Sequence, residues 1–292
     1  MNMPEHIANP SRTAAILKRH GFTFKKSLGQ NFLTNPTILQ NIVDAAELTP
    51  ADDVIEVGPG IGALTQFIAE NSHHVLALEV DGRLLPVLAE TLDGYLNVEV
   101  VLEDVLKADL PALVAAHFDG KHQLKVVANL PYYITTPILT HLMRSQLPFA
   151  SLTVMMQKEV ADRLTAQPHS KDYGSLTIGI QQFMNVAVAF EVKRTNFVPA
   201  PNVDSAIVTL TRRQTPLVTP KDQAGFDRLV RGAFAARRKT LWNNLQNLYG
   251  KANKPALQQA LDACGVDATK RGEALSIQEF AALADALSAS GF

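Results

Sequence analysis

Four short, largely apolar runs constrain this chain more than any other feature. Val54–Val57, Val75–Val80, Val98–Leu102 and Leu124–Ala128 are each four to six residues long, and they alternate with amphipathic stretches near 63–71, 83–92 and 110–117. Runs without strict polar alternation belong to strands covered on both faces, and helices linking parallel strands supply that cover. The expectation is an α/β fold built on a parallel sheet. Leu152–Met156, Val186–Val192 and Val203–Leu210 are further strand candidates. No clear helix separates the last two, which predicts an antiparallel hairpin at the sheet edge.

The pattern changes at both ends. The first 30 residues are polar and basic, and Asn35-Pro36 then reads as a helix N-cap and first turn, followed at helical spacing by Leu39, Ile42, Val43 and Ala46. The polar stretch Gln167–Gly174 reads as a mobile loop. Arg212 to Asp222, with Pro216 and Pro220, reads as a linker. Beyond it the periodicity is helical throughout: Phe226, Val230, Phe234, Leu241, Leu245 and Leu248 form one apolar stripe. Pro255 and Gly265 then bound a second helix, and Ser276 with Glu279 is a capping box ahead of a third. Two domains are expected, an α/β domain over 1–212 and a small all-α domain over 213–292, and 292 residues are enough for both.

Composition excludes several classes. With 47% hydrophobic and 19% charged residues the chain is neither disordered nor collagen-like, and its single cysteine, Cys264, cannot form an internal disulfide. No uncharged apolar run approaches the ~18 residues of a membrane span. The N-terminus, with Pro4, Glu5, Asn9 and Arg12, has no apolar core of a secretory signal, so a cytoplasmic location is expected. The net charge of −1 hides a pattern. Residues 1–33 carry five Lys/Arg against one acid, 34–220 carry twelve against twenty, and 221–254 carry eight against two. Two basic segments bracketing an acidic middle suit a polyanion held at the edges of a small-molecule site, and they also suit solvated helix faces.

Glu56-Val57-Gly58-Pro59-Gly60-Ile61-Gly62 ends the first strand and opens a helix. Glycines there let the backbone turn sharply and approach a ligand closely. Glu79 closes the second strand 21 residues after Gly58, where a carboxylate can accept ribose hydroxyls. The dinucleotide fingerprint is G-x-G-x-x-G. Here the spacing is G-x-G-x-G with an acid two residues before the first glycine. A carboxylate at Glu56 would repel a pyrophosphate but suits a ligand bearing an ammonium and a sulfonium, which favours S-adenosylmethionine over NAD. Asp104, after the third strand, is placed to accept from the cofactor's adenine amino group, and it would serve equally as a turn residue.

Asn129-Leu130-Pro131-Tyr132 ends the fourth strand, and ligands of doubly wound sheets bind outside the carboxyl ends of the strands. An exocyclic base amine is a poor nucleophile because its lone pair is delocalised into the ring. The Asn129 side-chain oxygen and the Leu130 carbonyl can accept its two hydrogens and free that lone pair. Pro131 stiffens the turn, and Tyr132 offers a face on which a base can stack. Phe197, in a proline-rich loop, is a candidate clamp for the other face of a flipped base, or an ordinary packing residue. Arg228, Arg231, Arg237, Arg238 and Lys239 ride the first C-terminal helix mostly opposite its apolar stripe and are candidates for phosphate contacts. No metal site is expected, since His73-His74 has no H-E-x-x-H context, and neither a G-x-S-x-G elbow nor a Walker A loop is present.

With these residues in view the chain resembles the ribosomal RNA adenine dimethyltransferases of the KsgA type, from about Phe24 to Leu287. The likeness is carried by Ser27-Leu28-Gly29-Gln30-Asn31-Phe32-Leu33, the run from Glu56 to Thr65, Asn129–Tyr132, Asn196–Ile207, and the stretch from Phe234 through Arg237-Arg238-Lys239-Thr240-Leu241 to Asn243-Asn244-Leu245. The resemblance implies a Rossmann-like methyltransferase sheet with a helical RNA- and ribosome-binding domain. It implies that Gln30, Asn31 and Leu33 join Glu56, Gly58, Gly60, Glu79, Asp104 and Asn129 around S-adenosylmethionine. It also implies two methyls on the 6-amino group of each of two adjacent adenosines in the 3′-terminal hairpin of small-subunit rRNA. The partner would be an assembling small ribosomal subunit, with no metal, no membrane and no need for a dimer. Three other readings stay open at this point: an Erm-type enzyme acting on large-subunit rRNA, a subunit-assembly factor with secondary catalysis, and an NAD oxidoreductase.

Overall fold

The structure is a computed structural model that describes residues 6–25 and 28–292; Pro4, Glu5 and Ser27 lie outside the described residues. In chain order the elements are α1 (Pro10–Arg19), β1 (Phe32–Leu33), α2 (Pro36–Ala45), β2 (Asp52–Val57), α3 (Ala63–Ala69), β3 (His74–Glu79), α4 (Leu85–Thr91), β4 (Val98–Leu102), α5 (Leu110–His117), β5 (Gln123–Asn129), α6 (Thr135–Arg144) and β6 (Ser151–Gln157). They continue as α7 (Lys158–Thr165), α8 (Ser175–Gln181), β7 (Met184–Val192), β8 (Phe197–Val198), β9 (Ser205–Arg212), α9 (Gln223–Ala233), α10 (Leu241–Tyr249), α11 (Lys254–Cys264) and α12 (Ile277–Ala289). Chain packing separates two units, residues 1–161 with 187–212, and residues 162–186 with 213–292. The chain therefore passes between them at three points, where the sequence reading places one boundary at 212.

The first unit is organised by a seven-stranded sheet in the order β4-β3-β2-β5-β6-β9-β7. The strands β4, β3, β2, β5 and β6 are parallel, and β9 runs antiparallel to β6. Every residue of β2 is buried, as the apolar run requires, whereas the edge strand β4 is only partly covered. β7 and β9 do lie side by side at the edge. They are not a simple hairpin, however, because the connection includes β8, which pairs antiparallel with β1 (Leu33 opposite Phe197). The chain leaves β2 toward β3 and β4 on one side and returns to β5 on the other. The ends of β2 and β5 thus flank the point where the strand order reverses, the place where such sheets bind ligands.

The N-terminal segment is more ordered than its polarity suggests. Asn9 caps α1, whose first residue is Pro10, in the same Asn-Pro arrangement that starts α2. Ile7 and Ala8 are fully buried, and the Ile7 amide donates to Gln66 Oε1 (3.0 Å) on α3. Ile7, Ala8, Ile16 and Leu17 share one core with Ala63, Leu64, Phe67, Ile68 and Ala69 of α3, which is buried all round. At the opposite end of the strands, buried Lys125 donates to the Glu47 carbonyl (2.8 Å) and to Asp52 (3.0 Å).

The second unit has its own core, including Phe226, Leu241, Leu257, Phe280 and Leu283. Two expectations are corrected here. Gln167–Gly174 is not a free loop: Tyr173 is 3% exposed within this core, and the His169 amide donates to the Glu273 carbonyl (2.7 Å). The stripe from Phe226 to Leu248 is not one helix either. α9 ends at Ala233, and α10 starts after Thr240, which caps it. Asn244 closes the break by donating to the carbonyls of Ala233 (2.8 Å) and Ala236 (3.2 Å). Arg228 and Arg231 therefore sit on α9, while Arg237, Arg238 and Lys239 lie in the turn that follows. The later punctuation matches the sequence reading: Gly265 ends α11 in the left-handed conformation, and Ser276 with Glu279 forms the capping box of α12.

Candidate active site

A cavity of the first unit opens at the ends of β2 and β5 and is lined by Gln30, Asn31, Leu33, Glu56, Gly58, Gly60, Glu79, Asn129, Leu130 and Tyr132, among others. The loop after β2 turns through positive φ at Gly58 (+71°) and Gly60 (+63°). A Cβ at Gly60 would come within 2.9 Å of the Phe32 ring, so the loop needs glycine for conformation and for space. The Gly58 amide donates to the Leu78 carbonyl (2.9 Å), which ties the loop to β3.

Two buried carboxyl groups, Glu56 and Glu79, line this cavity with no ion pair among the described residues. Glu79 is 4% exposed and accepts from the amides of Asp81 (2.8 Å) and Gly60 (3.3 Å); burial still pushes its carboxyl above the ordinary range. Glu56 is 1% exposed, and its Oε2 has no hydrogen-bond partner among the described residues. Burial pushes it up to about 8, with the neighbouring Thr65 lowering it somewhat and Glu79 raising it. An orphaned buried carboxyl oxygen beside a second acid is costly unless a ligand completes it. Glu56 and the Gly58–Gly60 cradle therefore fit a small ligand with a cationic end, as S-adenosylmethionine has, and not a pyrophosphate.

Next to this pair, Asp81 holds the N-terminal strap. It accepts from Arg83 (Nε at 2.9 Å and a terminal nitrogen at 2.5 Å) and from Gln30 Nε2 (2.9 Å), and the Arg83 contacts hold its carboxyl well below the usual range. Gln30 Oε1 in turn accepts from the Lys25 amide (2.9 Å). Gln30 lines the cavity, but both ends of its amide are engaged by the protein. Nothing in the spacing of Asp81 and Arg83 marks them in the sequence.

The Asn129–Tyr132 turn is fastened at almost every point. The Leu130 amide donates to the Met155 carbonyl (3.1 Å), Thr135 Oγ1 to the Pro131 carbonyl (3.0 Å), and Asn129 Nδ2 to the Asn31 carbonyl (3.3 Å). The Tyr132 and Ser205 hydroxyls share a hydrogen bond of 2.5 Å. Among the described residues no donor meets Asn129 Oδ1 or the Leu130 carbonyl oxygen. The turn is rigid and presents two unused acceptors.

Other candidates lie elsewhere. Phe197 is 3% exposed, paired with Leu33, and outside the cavity lining. Asp104 is also outside the lining; its Oδ1 accepts from the Leu106 amide (3.1 Å), and Lys107 lies 3.6 Å from its Oδ2. In the second unit Arg228 lies over the Tyr249 ring (5.4 Å), while Arg231, Arg237, Arg238 and Lys239 are exposed with no ion pair among the described residues. The described residues hold no cluster of His, Cys, Asp and Glu suited to a metal, and no helix long and apolar enough to cross a membrane.

Known proteins resemble this chain over nearly its whole length. The ribosomal RNA adenine dimethylase family matches residues 21–288. Ribosomal RNA small subunit methyltransferase A of Latilactobacillus sakei is 61% identical over 285 residues, covering 97% of this chain and 96% of that protein. The protein of the same name from Streptococcus thermophilus is 57% identical over 287 residues, covering 98% and 99%. Among solved structures, a dimethyladenosine transferase from Plasmodium falciparum is similar with a TM-score of 0.69 at 27% identity, covering 86% of this chain and 95% of that one. The 23S rRNA methyltransferase ErmE is similar with a TM-score of 0.65 at 28% identity, covering 88% and 100%.

Proposed function

The chain belongs to the ribosomal RNA adenine dimethylase family, and from that premise we propose that it dimethylates the 6-amino groups of two adjacent adenosines in the 3′-terminal hairpin of 16S rRNA. The observation that carries the reading is the fastened Asn129–Tyr132 turn with two free acceptors. Two acceptors set by one turn match the two N–H bonds of an exocyclic amine, and accepting both draws the nitrogen toward tetrahedral geometry and frees its lone pair.

The other residues bind and orient. Glu56 and Glu79, with the glycine loop, would hold S-adenosylmethionine, which supplies an electrophilic methyl on a sulfonium. Tyr132 gives the base a face to stack on, and Phe197 is proposed to close the other face. Holding amine and methyl in line is worth up to ~7–11 kcal/mol of barrier in favourable cases, so positioning carries most of the work. Arg231, Arg237, Arg238 and Lys239 would hold the rRNA backbone. In this reading the protein acts as a cytoplasmic monomer on the small subunit. The small-subunit names of relatives at 56–61% identity favour this target over the large subunit, the target of the more distant ErmE.

The test is transfer of a labelled methyl from S-adenosylmethionine to unmethylated small and large subunits, with Asn129→Ala as control. Dimethyladenosine at two neighbouring positions of small subunits alone, lost in the variant while subunit binding persists, is the expected result. Label on large subunits alone would move the assignment to the Erm-type reaction, and unchanged transfer by Asn129→Ala would overturn the role of the turn.

A further inference from the structure

A stacking platform is useful only if its plane is set before the base arrives. The backbone of Tyr132 is set by the turn, but the side chain has two torsions of its own. Its hydroxyl is the far end of that lever, and a bond there fixes both torsions at once. Ser205 makes this bond. It is the first residue of β9, pairs with Gln157 of β6, and is 0% exposed, so its hydroxyl is held by the sheet and not by a loop.

We propose that Ser205 is a positioning residue of the methyl-transfer site: it orients the Tyr132 ring so that a flipped adenine stacks with its amine on Asn129 Oδ1 and the Leu130 carbonyl. The inference rests on the adenine-methylating reading above. The alternative is a buried polar pair that serves stability alone, and magnitudes separate the two. A neutral hydrogen bond contributes only modestly to folding, whereas misplacing a reacting group by ~1 Å can cost about a hundredfold in rate. A positioning role therefore predicts a catalytic loss out of proportion to the loss of stability. It also places the loss in kcat, because the base still enters the pocket and the cofactor residues are untouched.

The experiment is a double-mutant cycle on the full chain with Ser205→Ala, Tyr132→Phe and both, using methyl transfer to small subunits. Three further measurements accompany it: S-adenosylmethionine affinity, subunit KM and Tm. Each single variant is expected to lower kcat by about ten- to a hundredfold with KM and cofactor affinity within twofold, and the double variant to be no worse than either single. Wild-type kcat in Ser205→Ala overturns the proposal. So does a double variant whose loss is the product of the two singles, or a loss that appears in cofactor affinity and Tm instead. Tyr132→Ala separates this failure from failure of the parent reading: undiminished methyl transfer by that variant would mean that Tyr132 is not the base platform at all.

Discussion

Glu56 shows how one residue ties fold stability to function. Its carboxyl, pushed up to about 8 by burial, is protonated in the folded protein at neutral pH, while in the unfolded chain it ionises near its ordinary 4.5. Below the unfolded value it is protonated in both states and has no effect. Between roughly pH 4.5 and 8 the unfolded chain sheds a proton that the folded chain keeps, so stability falls as pH rises, by ~1.4 kcal/mol per unit. Glu56→Gln cannot ionise, so its Tm is expected to exceed that of the wild type at pH 8 and to converge with it near pH 5. The same variant is expected to bind S-adenosylmethionine more weakly, since only the wild-type carboxyl can give up its proton to meet the ligand's cationic end with a charge. Thermal unfolding at the two pH values with calorimetric titration checks both, and equal Tm values at pH 8 would contradict the buried, unpartnered carboxyl. The acid two residues before Gly58 was visible in the sequence. Its missing partner was not, because a hydrogen-bond vacancy is a property of everything packed around it.

At the level of elements, the break between α9 and α10 is the clearest case of tertiary packing overriding local pattern. Phe234 and Leu241 are seven residues apart, two helical turns, so the apolar stripe runs on without interruption and predicts one helix. The chain turns instead because Gly232 lets α10 come close: a Cβ there would lie 2.4 Å from Leu248 Cδ2. Asn244, 2% exposed, then closes the turn by donating to the carbonyls of Ala233, the last residue of α9, and of Ala236 in the turn itself. Removing it in Asn244→Ala leaves the Ala233 carbonyl unpaired, while the Ala236 carbonyl keeps the Lys239 amide (2.9 Å), and is expected to cost about 1–3 kcal/mol. That would appear as a lower urea midpoint with an unchanged m-value. A midpoint equal to the wild type would mean that Asn244 does not hold the turn. By contrast, the boundaries at Pro255, Gly265 and Ser276 were legible, because caps and left-handed glycines act within a few residues of where they stand. α1 was equally legible in principle: Asn9-Pro10 is the same signal as Asn35-Pro36, masked only by the polarity around it.

For the molecule as a whole, the charge division along the chain predicts how it meets its substrate. Among the described residues Arg231, Arg237, Arg238 and Lys239 are exposed with no ion pair, whereas two basic residues of the N-terminal segment are committed to acids, Arg19 to Glu90 and Lys25 to Asp81. If the four free cations meet phosphates, log affinity for the small subunit falls by roughly 0.7–0.9 per contact for each decade of salt. Replacing Arg237 and Arg238 by Ala is then expected to weaken subunit binding and to shallow that slope by about 1.4–1.8, with cofactor affinity unchanged. Binding measured across a salt series checks this, and an unaltered slope would remove the two arginines from the interface.

The amino-acid sequence alone determined the α/β class, the glycine loop, the acids at 56 and 79, and the Asn-Leu-Pro-Tyr turn. Each depends on periodicity or on residues adjacent in the chain, and those relations survive in one dimension. Which hydroxyl meets Tyr132, which carboxylate anchors Gln30, which helix breaks over Gly232, and how residues 162–186 join the helical unit were decided only when distant segments packed together. Ser205 is 73 residues from Tyr132 and Asp81 is 51 from Gln30. Contacts across such separations form only when the folded sheet and core bring the segments together, so no local signal announces them.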